Sequence, residues 1–340
     1  MVALQSGDPA TLEPWRKLVA ESQRHLLAVY HRLGVSLTGD DFVGESFYQD
    51  MLASVVDELD ARGLLRLSEG ALCAFPAGFT GRDGEPLPLI VRKSDGGFGY
   101  AATDLAALRH RVLGLGATRL LYVVGTPQRM HFQMVFAVAR DAGWLTGGVT
   151  AEHIGFGAIL GPDGKVFRSR SGDSIRLADL LDEADRRATA PEIGVGAIKY
   201  ADLSGDRLSD YVFVWDRMLA LTGNTGPYLQ YAHARIRSIF DRTPDRPGPV
   251  TLTDPAERAL ALALLAFEPV IERVAETLEF HRLTNHLYEV ASAFSAFYEQ
   301  CPVLKADPPT RRSRLALCAR TAVTLREGLG LLGISAPDRL

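Results

Sequence analysis

The feature that most constrains the fold is the alternation of strand-like and helix-like segments between Leu87 and Ala142. Leu120–Val124 is an unbroken apolar run bounded by turn residues, which is typical of a strand covered on both faces. One helix-like segment precedes this run, and another follows it after Gly125. Alternation of this kind predicts a parallel sheet, and such sheets bind ligands beyond the carboxyl ends of their strands.

Two further strands are predicted within the same stretch. Leu89–Val91 has the pattern of a buried strand, and Phe98–Tyr100 is expected to begin another one. Thr103 is the expected cap of the helix that follows. Tyr100–Asp104 and Thr126–Gln128 then fall where a parallel sheet places its ligand-binding residues.

The flanking segments have simpler patterns. Apolar residues at three- and four-residue spacing predict helices over about Pro14–Leu33 and Tyr48–Arg62. Short β-like runs follow at Leu64–Leu67 and Leu72–Phe75. From Tyr211 to the C-terminus the sequence is typical of a helical bundle, so the predicted fold combines an α/β part with an all-α part.

Composition excludes several classes of protein. A chain of 340 residues with 47% hydrophobic and 23% charged residues is typical of about two globular domains. The net charge of −4 means that any nucleic-acid contact needs a local basic patch, for which Arg311, Arg312, Arg314 and Arg320 are one candidate; a solvated helix face is the commoner outcome. The three cysteines form no CxxC pair, and the histidines form no clustered ligand set, so we expect no metal site. No signal peptide or membrane-spanning run is visible, and a cytoplasmic protein without a membrane partner is expected.

Tyr100, Asp104 and Gln128 are candidates for binding a planar cation. If they converge at strand ends, they offer a phenol, a carboxylate and an amide, which suits a guanidinium. The alternative is that Asp104 lies in the first turn of its helix only because the helix dipole favours a carboxylate there.

The segment from Gly161 to Asp173 is a polar, glycine-containing loop that carries Lys165, Arg168 and Arg170. Closely spaced cations on a mobile loop suit polyphosphates, whereas a solvated surface hairpin is the alternative. His153-Ile-Gly-Phe156 has the form of a truncated nucleotide-binding signature, but it lacks the second histidine and precedes no obvious helix.

Five segments, in order along the chain, together resemble the arginyl-tRNA synthetase family of class I aminoacyl-tRNA synthetases. They are Ile90–Ala107, Leu121–Val124 with Gln128 and His131–Gln133, Val195–Ser204, Gly223–Ser238 and Leu287–Pro302. The resemblance extends from about Trp15 to the end of the chain.

The resemblance implies a partial Rossmann-type parallel sheet followed by an α-helical anticodon-binding bundle of the DALR type. Residues 1–222 would form the C-terminal part of the catalytic domain, including a stem-contact segment at 194–222. Residues 223–340 would form the anticodon-binding domain. Family enzymes activate L-arginine with ATP, which brings Mg²⁺ as part of the substrate, and then esterify the terminal ribose of tRNA-Arg. No tightly bound cofactor is implied.

The resemblance also assigns candidate site residues. Tyr100, Asp104 and Gln128 fall on the positions that hold the arginine side chain. Lys165, Arg168 and Arg170 fall on the counterpart of the ATP-closing KMSKS loop. The tRNA-binding candidates, within the stretch that corresponds to the part receiving the anticodon arm, are Tyr228, Gln230, Tyr231 and Arg235. The ATP-binding candidates, His153, Gly155 and Gly157, come from the region of the truncated signature and not from the resemblance.

The sequence departs from the family pattern at one functional motif. No His-x-Gly-His occurs in the 340 residues, and in the family this HIGH motif opens a helix that cradles the ATP phosphates. We therefore expect this chain alone to be impaired in aminoacylation, and a separate polypeptide that supplies an N-terminal half is a candidate partner. One alternative hypothesis is a non-ligase paralogue that binds arginine or tRNA in a regulatory or accessory role. Another is a decaying remnant that folds poorly and has no function.

Overall fold

The computed structural model describes residues 2–5, 7–161, 163–165 and 176–340. Contacts divide the chain into two compact units, of which the first comprises Met1–Ala28 and Leu37–Phe156 and the second Val29–Ser36 and Gly157–Leu340. The boundary predicted between residues 222 and 223 falls inside the second unit. The predicted boundary separates two family domains, whereas the two units are defined by their internal contacts. The boundary therefore stays a prediction.

The first unit contains ten helices and strands among its described residues. In chain order they are α1 (Val2–Gln5), α2 (Pro9–Leu33, whose last turn belongs to the second unit), α3 (Leu52–Ala61), β1 (Leu65–Ser68), β2 (Ala71–Ala74), β3 (Leu89–Arg92), α4 (Tyr100–Arg109), β4 (Arg119–Val123), α5 (Arg129–Asp141) and β5 (Thr150–Ile154). Turns of 3-10 helix lie at Gly39–Asp41, Glu45–Met51 and Thr126–Gln128, and a π-helical turn at His110–Gly114 extends α4.

The first predicted helix is confirmed, but α2 begins earlier than expected. Pro9 occupies its first position, where the missing N–H costs nothing. Asp8 caps the helix, because its Oδ2 accepts a hydrogen bond from the backbone N–H of Thr11 at 3.0 Å. The helix thus begins five residues before the start that apolar spacing indicated.

The prediction that Leu89–Val91 belongs to a parallel sheet is wrong. β3 pairs antiparallel with β2, and β2 pairs antiparallel with β1, so the three strands form a meander. No helix connects β2 to β3, and without a crossover the chain returns in the opposite direction. Side chains alternate accordingly, with Leu89 and Val91 buried and Ile90 exposed.

The parallel sheet is confirmed between β4 and β5, which are joined through α5 and pair from Arg119 with Thr150 to Val123 with Ile154. However, β4 is not covered on both faces as predicted. Tyr122 is buried against Phe132 and Phe136 of α5, with both pairs of ring centres 5.1 Å apart. On the other face Leu121 is 44% and Val123 67% exposed. Helices of the first unit thus cover only one face of this strand.

Phe98–Tyr100 does not start a strand. Phe98 forms a single β-bridge with Arg92, and α4 begins at Tyr100 with Gly99 as its N-cap. Thr103 therefore lies inside the helix instead of capping it, and Asp104 lies in the second turn.

The described part of the second unit is mostly helical, as predicted. Its elements are β6 (Ile159–Leu160), α6 (Leu177–Arg187), α7 (Pro191–Leu203), β7 (Tyr211–Val212), α8 (Trp215–Met218), α9 (Gly226–Phe240), α10 (Pro255–Leu265), α11 (Phe267–Thr277), α12 (His281–Gln300) and α13 (Pro308–Leu331). β6 and β7 form a short parallel pair that the sequence did not predict.

Two hydrophobic cores stabilise the second unit. The larger one lies among α9, α10, α12 and α13 and includes the fully buried Phe294 and Phe297. The smaller one joins α6 and α7 to the last turn of α2, where Arg32 forms ion pairs with Asp182 and Asp185 at 2.8 and 2.9 Å. None of the helices in the described part of the chain is long and apolar enough to cross a membrane.

Candidate functional site

The centre of the candidate site is a hydrogen bond between two helices of the first unit. Nε2 of His131 on α5 lies 2.7 Å from Oδ2 of Asp104 on α4. The two side chains are 28% and 29% exposed, so the pair is partly shielded and still open to a ligand. Because a carboxylate only accepts, the proton of this bond lies on Nε2 when Asp104 is ionised.

The other two arginine-binding candidates flank this pair. Tyr100 is one helical turn before Asp104 on α4, and Gln128 is one turn before His131 at the N-terminus of α5. Both side chains are exposed. The Asp104–His131 hydrogen bond therefore links α4 to α5. The phenol of Tyr100 lies on the turn before Asp104, and the amide of Gln128 lies on the turn before His131.

The position of Asp104 in α4 also weakens the alternative explanation, in which the helix dipole alone accounts for a carboxylate there. A helix dipole acts mainly within the first turn, whereas Asp104 lies in the second turn. Its partner is the His131 ring. His131 lies within a segment that resembles the family, but no role was predicted for it. Its three-residue spacing from Gln128, which places both residues on one helix face, is a signal that could have identified it.

Tyr122, which packs against Phe132 and Phe136, is near enough to the pair for the Asp104 charge to affect its pKa. Burial raises the pKa of the Tyr122 phenol, and the negative charge of Asp104 raises it further, against the opposing effect of Arg111. The guanidinium carbon of Arg111, in the π-helical turn, lies 5.2 Å from the Tyr122 ring centre. Tyr122 thus stays a neutral phenol at physiological pH, and it contributes no charge that would compete with Asp104.

The ATP-binding candidates occupy different surroundings. His153 lies on β5, with its ring stacked on Phe132 at 5.7 Å between centres, and Gly155 is buried just after the strand. Gly157 belongs to the second unit, where a Cβ would lie 2.6 Å from the backbone oxygen of Ser209. Close backbone packing is therefore sufficient to explain a glycine at position 157. As expected, His153-Ile-Gly-Phe156 opens no helix.

Of the three loop cations, only Lys165 lies among the described residues. It is exposed, and its carbonyl accepts a hydrogen bond from the N–H of Gly161 at 2.7 Å, which closes a tight turn. Arg168 and Arg170 lie outside the described residues. Within the described ranges, no group of three or more His, Cys, Asp or Glu residues could hold a metal ion.

The tRNA-binding candidates lie on α9, where three of them share one face. Tyr228, Tyr231 and Arg235 are spaced by three and four residues. The Arg235 guanidinium carbon lies 5.6 Å from the ring centre of Tyr231 and 5.0 Å from that of Tyr298 on α12. Tyr231 is exposed, so this face presents an aromatic ring and a cation to solvent.

Gln230 is not accessible to tRNA as predicted, because its side chain is fully buried. Its Nε2 donates hydrogen bonds to the backbone carbonyls of Glu192 at 3.1 Å and Ser335 at 2.9 Å. The side chain therefore fastens the C-terminal segment to α9 and has no surface to offer to RNA. It lies two residues from Tyr228, which places it on the opposite side of the helix.

The basic patch near the C-terminus is also partly internal. Arg311 pairs with Asp245, and Arg314 pairs with Glu257. Two of the four candidate arginines are thus engaged in holding the second unit together, which leaves less positive charge for a nucleic acid than the sequence alone indicated.

Two family models match most of this chain. Residues 1–192 match the family described as "tRNA synthetases class I (R), catalytic domain", and residues 229–340 match the "DALR anticodon binding domain". The chain is 53% identical to the arginine–tRNA ligase of Frankia casuarinae and 52% identical to that of Thermobifida fusca. These alignments cover 100% of this chain but 61% and 63% of the relatives, so the chain spans about three fifths of their length.

Solved structures agree with the sequence comparison. The arginyl-tRNA synthetase of Plasmodium falciparum superposes with a TM-score of 0.87 at 30% identity, covering 100% of this chain and 60% of that one. The arginyl-tRNA synthetase of Thermus thermophilus gives a TM-score of 0.83 at 25% identity, covering 99% and 65%. The class I catalytic fold and the helical DALR domain are thus both present, and this chain belongs to the arginyl-tRNA synthetase family.

Proposed function

We propose that this chain carries the arginine-recognition and anticodon-arm-binding parts of an arginine–tRNA ligase. The observation that carries the proposal is the Asp104 carboxylate, held by His131 and flanked by Tyr100 and Gln128. A guanidinium is planar and always charged, and it pairs with a carboxylate through two parallel hydrogen bonds. Asp104 would form this ion pair, while the phenol oxygen of Tyr100 and the amide oxygen of Gln128 would accept hydrogen bonds from the remaining N–H groups of the guanidinium.

The proposed reaction has two steps. The carboxylate of L-arginine attacks the α-phosphorus of ATP, which forms arginyl adenylate and releases pyrophosphate. A hydroxyl of the terminal ribose of tRNA-Arg then attacks the arginyl carbonyl, and AMP leaves. The proposed place of this reaction is the cytoplasm, where charged tRNA is consumed.

Assignments for ATP rest on the family pattern and on the truncated signature. Lys165, Arg168 and Arg170 would neutralise phosphate charge as it develops, and His153, Gly155 and Gly157 would lie along the nucleotide. Mg²⁺ would arrive with the phosphates of ATP.

The tRNA assignment rests on the exposed face of α9. Aromatic rings stack on unpaired bases, and arginine contacts phosphates, so Tyr231 and Arg235 suit a single-stranded loop of RNA. Tyr228 is half-buried, with its hydroxyl 3.2 Å from Oγ of Ser295, and would support this face from behind.

A separate polypeptide is a further part of the proposal. The exposed Leu121 and Val123 leave an apolar face on β4, which suits additional polypeptide of the kind that covers both faces of a parallel sheet. Adding the part of the Frankia casuarinae relative that this chain does not match should then raise arginine-dependent ATP–pyrophosphate exchange. Exchange that does not change on addition would contradict this part.

The central test is calorimetric titration of the chain with L-arginine. The Asp104→Asn variant should bind at least about 10-fold more weakly, because a hydrogen bond to a charged group contributes roughly 1.5–3 kcal/mol. Asp57→Asn, at an exposed position on α3, is the matched control and should bind normally. Equal affinity of Asp104→Asn and the unaltered chain would remove this site from the proposal.

Pyrophosphate exchange separates the two functional hypotheses. Arginine-dependent exchange, measured with and without tRNA, is expected of a ligase. Arginine binding with no exchange, even after the missing part of a relative is added, would instead favour a non-ligase paralogue.

A further inference from the structure

Asp104 has a partner that the family resemblance did not assign. His131 is the third residue of α5, and its Nε2 lies 2.7 Å from Oδ2 of Asp104. We propose that His131 is a positioning residue, which fixes the Asp104 carboxylate in the orientation that a guanidinium requires. This inference rests on the proposed arginine-binding function and extends it to a residue beyond the three assigned ones.

The surroundings of His131 suit a rigid support. Its ring meets the ring of Phe132 edge to face, with centres 5.3 Å apart and planes at 80°. Phe132 and Val135 are buried in the core of the first unit, so the backbone that carries His131 is well anchored. The imidazole is therefore held by packing on one side and by the carboxylate on the other.

The hydrogen bond leaves room for a ligand. An ionised carboxylate offers about four lone-pair positions, and His131 uses one of them. A guanidinium needs two acceptors in one plane, one on each oxygen, and three positions remain. His131 can thus stay bound while arginine binds, and it keeps the carboxylate from rotating.

Rotation matters because the terminal torsion of an aspartate side chain has only a broad preference, so a free carboxylate samples a wide range of orientations. Without His131, binding would have to immobilise the carboxylate, at a cost comparable to that of ordering a side chain at an interface. Converted at tenfold per 1.4 kcal/mol, this cost corresponds to about 2- to 12-fold in affinity for arginine.

The test uses two variants of the 340-residue chain. His131→Leu removes the donor but keeps an apolar side chain against Phe132. His131→Gln places an amide N–H near the position of Nε2. Calorimetry with L-arginine should show about 2- to 12-fold weaker binding for His131→Leu and recovery to within 2-fold of the unaltered chain for His131→Gln. Melting temperatures of both variants should match that of the unaltered chain, which excludes a general loss of structure.

A second measurement examines the hydrogen bond without a ligand. Long-range ¹⁵N–¹H NMR spectra report which ring nitrogen carries the proton, and the Nε2–H form should dominate for His131 in the unaltered chain. In Asp104→Asn this preference should weaken, because the charged acceptor is gone.

The outcomes distinguish the inference from the function on which it rests. If Asp104→Asn abolishes arginine binding and His131→Leu leaves it unchanged, the positioning role is overturned and the arginine site stands. If the unaltered chain and His131→Gln both fail to bind arginine, the proposed function and this inference fail together. Weakened binding by His131→Leu without rescue by Gln would also overturn the inference, since the hydrogen-bond donor would then not be what matters.

Discussion

Arg314 and Glu257 form an ion pair that joins the last helix to α10, with Nε and Oε1 2.7 Å apart. The two side chains are 14% and 1% exposed, so the pair is almost excluded from water. Glu257 also accepts hydrogen bonds from the backbone N–H groups of Thr253 at 2.7 Å and Asp254 at 3.1 Å. One carboxylate thus completes the N-terminus of α10 and fixes it to α13.

Breaking this pair should strongly destabilise the second unit. Arg314→Met should lower the free energy of unfolding by about 3–5 kcal/mol, because it leaves the Glu257 charge buried without its partner. Arg273→Met, which breaks the exposed pair with Glu276, is the control and should cost at most about 1 kcal/mol. Urea unfolding followed by circular dichroism measures both, and equal losses in the two variants would contradict the prediction.

The same carboxylate makes stability depend on pH. Burial alone would raise the pKa of Glu257, but the Thr253 and Asp254 N–H groups and the Arg314 guanidinium outweigh burial and lower the pKa. Because the folded pKa lies below the unfolded value of about 4.3, the stabilisation is complete above that pH and is lost as pH falls through the folded pKa. Glu257→Gln should therefore be less stable than the unaltered chain at pH 7, and the difference should shrink below about pH 4. Urea unfolding at pH 7, 5 and 3.5 measures this, and a difference that does not change with pH would contradict it.

Two glycines of α13 should respond in opposite ways to alanine. A Cβ at Gly328 would lie 2.4 Å from Cδ2 of the buried Leu287, whereas a Cβ at Gly330 would meet nothing within 4 Å. Gly328→Ala should therefore cost about 1–2 kcal/mol through overpacking, despite the better helix propensity of alanine. Gly330→Ala should gain up to about 1 kcal/mol. Thermal unfolding of the two variants checks the contrast, and a stabilised Gly328→Ala would show that α12 and α13 pack less closely.

Removing the Gln230 side chain should release the C-terminal segment. Gln230→Ala loses two hydrogen bonds and leaves the Glu192 and Ser335 carbonyls without this donor, which should cost about 1–3 kcal/mol. Hydrogen exchange should increase most in residues 333–340, which α9 holds also through the bond between Nδ1 of His233 and the Pro337 carbonyl at 3.0 Å. Gln133→Ala, at an exposed position on α5, serves as the control. Unchanged exchange in the C-terminal segment would show that Gln230 does not hold it.

The exposed face of α9 should contribute to RNA binding, as proposed above. Arg235→Gln should weaken binding of tRNA-Arg and reduce the slope of log affinity against log salt by about 1. Tyr231→Ala should weaken it by about 1–3 kcal/mol through lost stacking, with little effect on that slope. Arg258→Gln, at an exposed position on α10, is the control. If all three variants bind as the unaltered chain does, this face does not contact the tRNA.

The sequence allowed much of the fold to be predicted, because the relevant signals are local. Apolar spacing located the first two helices and the helical second half, and the run at Leu120–Val124 located a strand of the parallel sheet. What local patterns could not show was which strand pairs with which. Leu89–Val91 has the same apolar character as Leu120–Val124, yet it pairs antiparallel, because no crossover helix precedes it.

The candidate site shows the same limit. Residue types predicted a guanidinium-binding carboxylate at Asp104, but its partner comes from a different helix 27 residues away. Gln230 is a polar residue on a helix that also carries exposed aromatic rings, and only the packing of α7 and the C-terminal segment shows that it is buried.

By itself, then, the sequence determined the type of most elements and the residue types that can bind a guanidinium, and its motifs resemble one family. The elements and the residue types follow from spacing and side-chain chemistry, which are properties of the chain before it folds. Tertiary structure decided that β4 is covered on one face within its unit, that His131 holds Asp104, and that Gln230 faces the interior. Each of these depends on contacts between residues distant in sequence, and such contacts exist only once the helices and strands have packed.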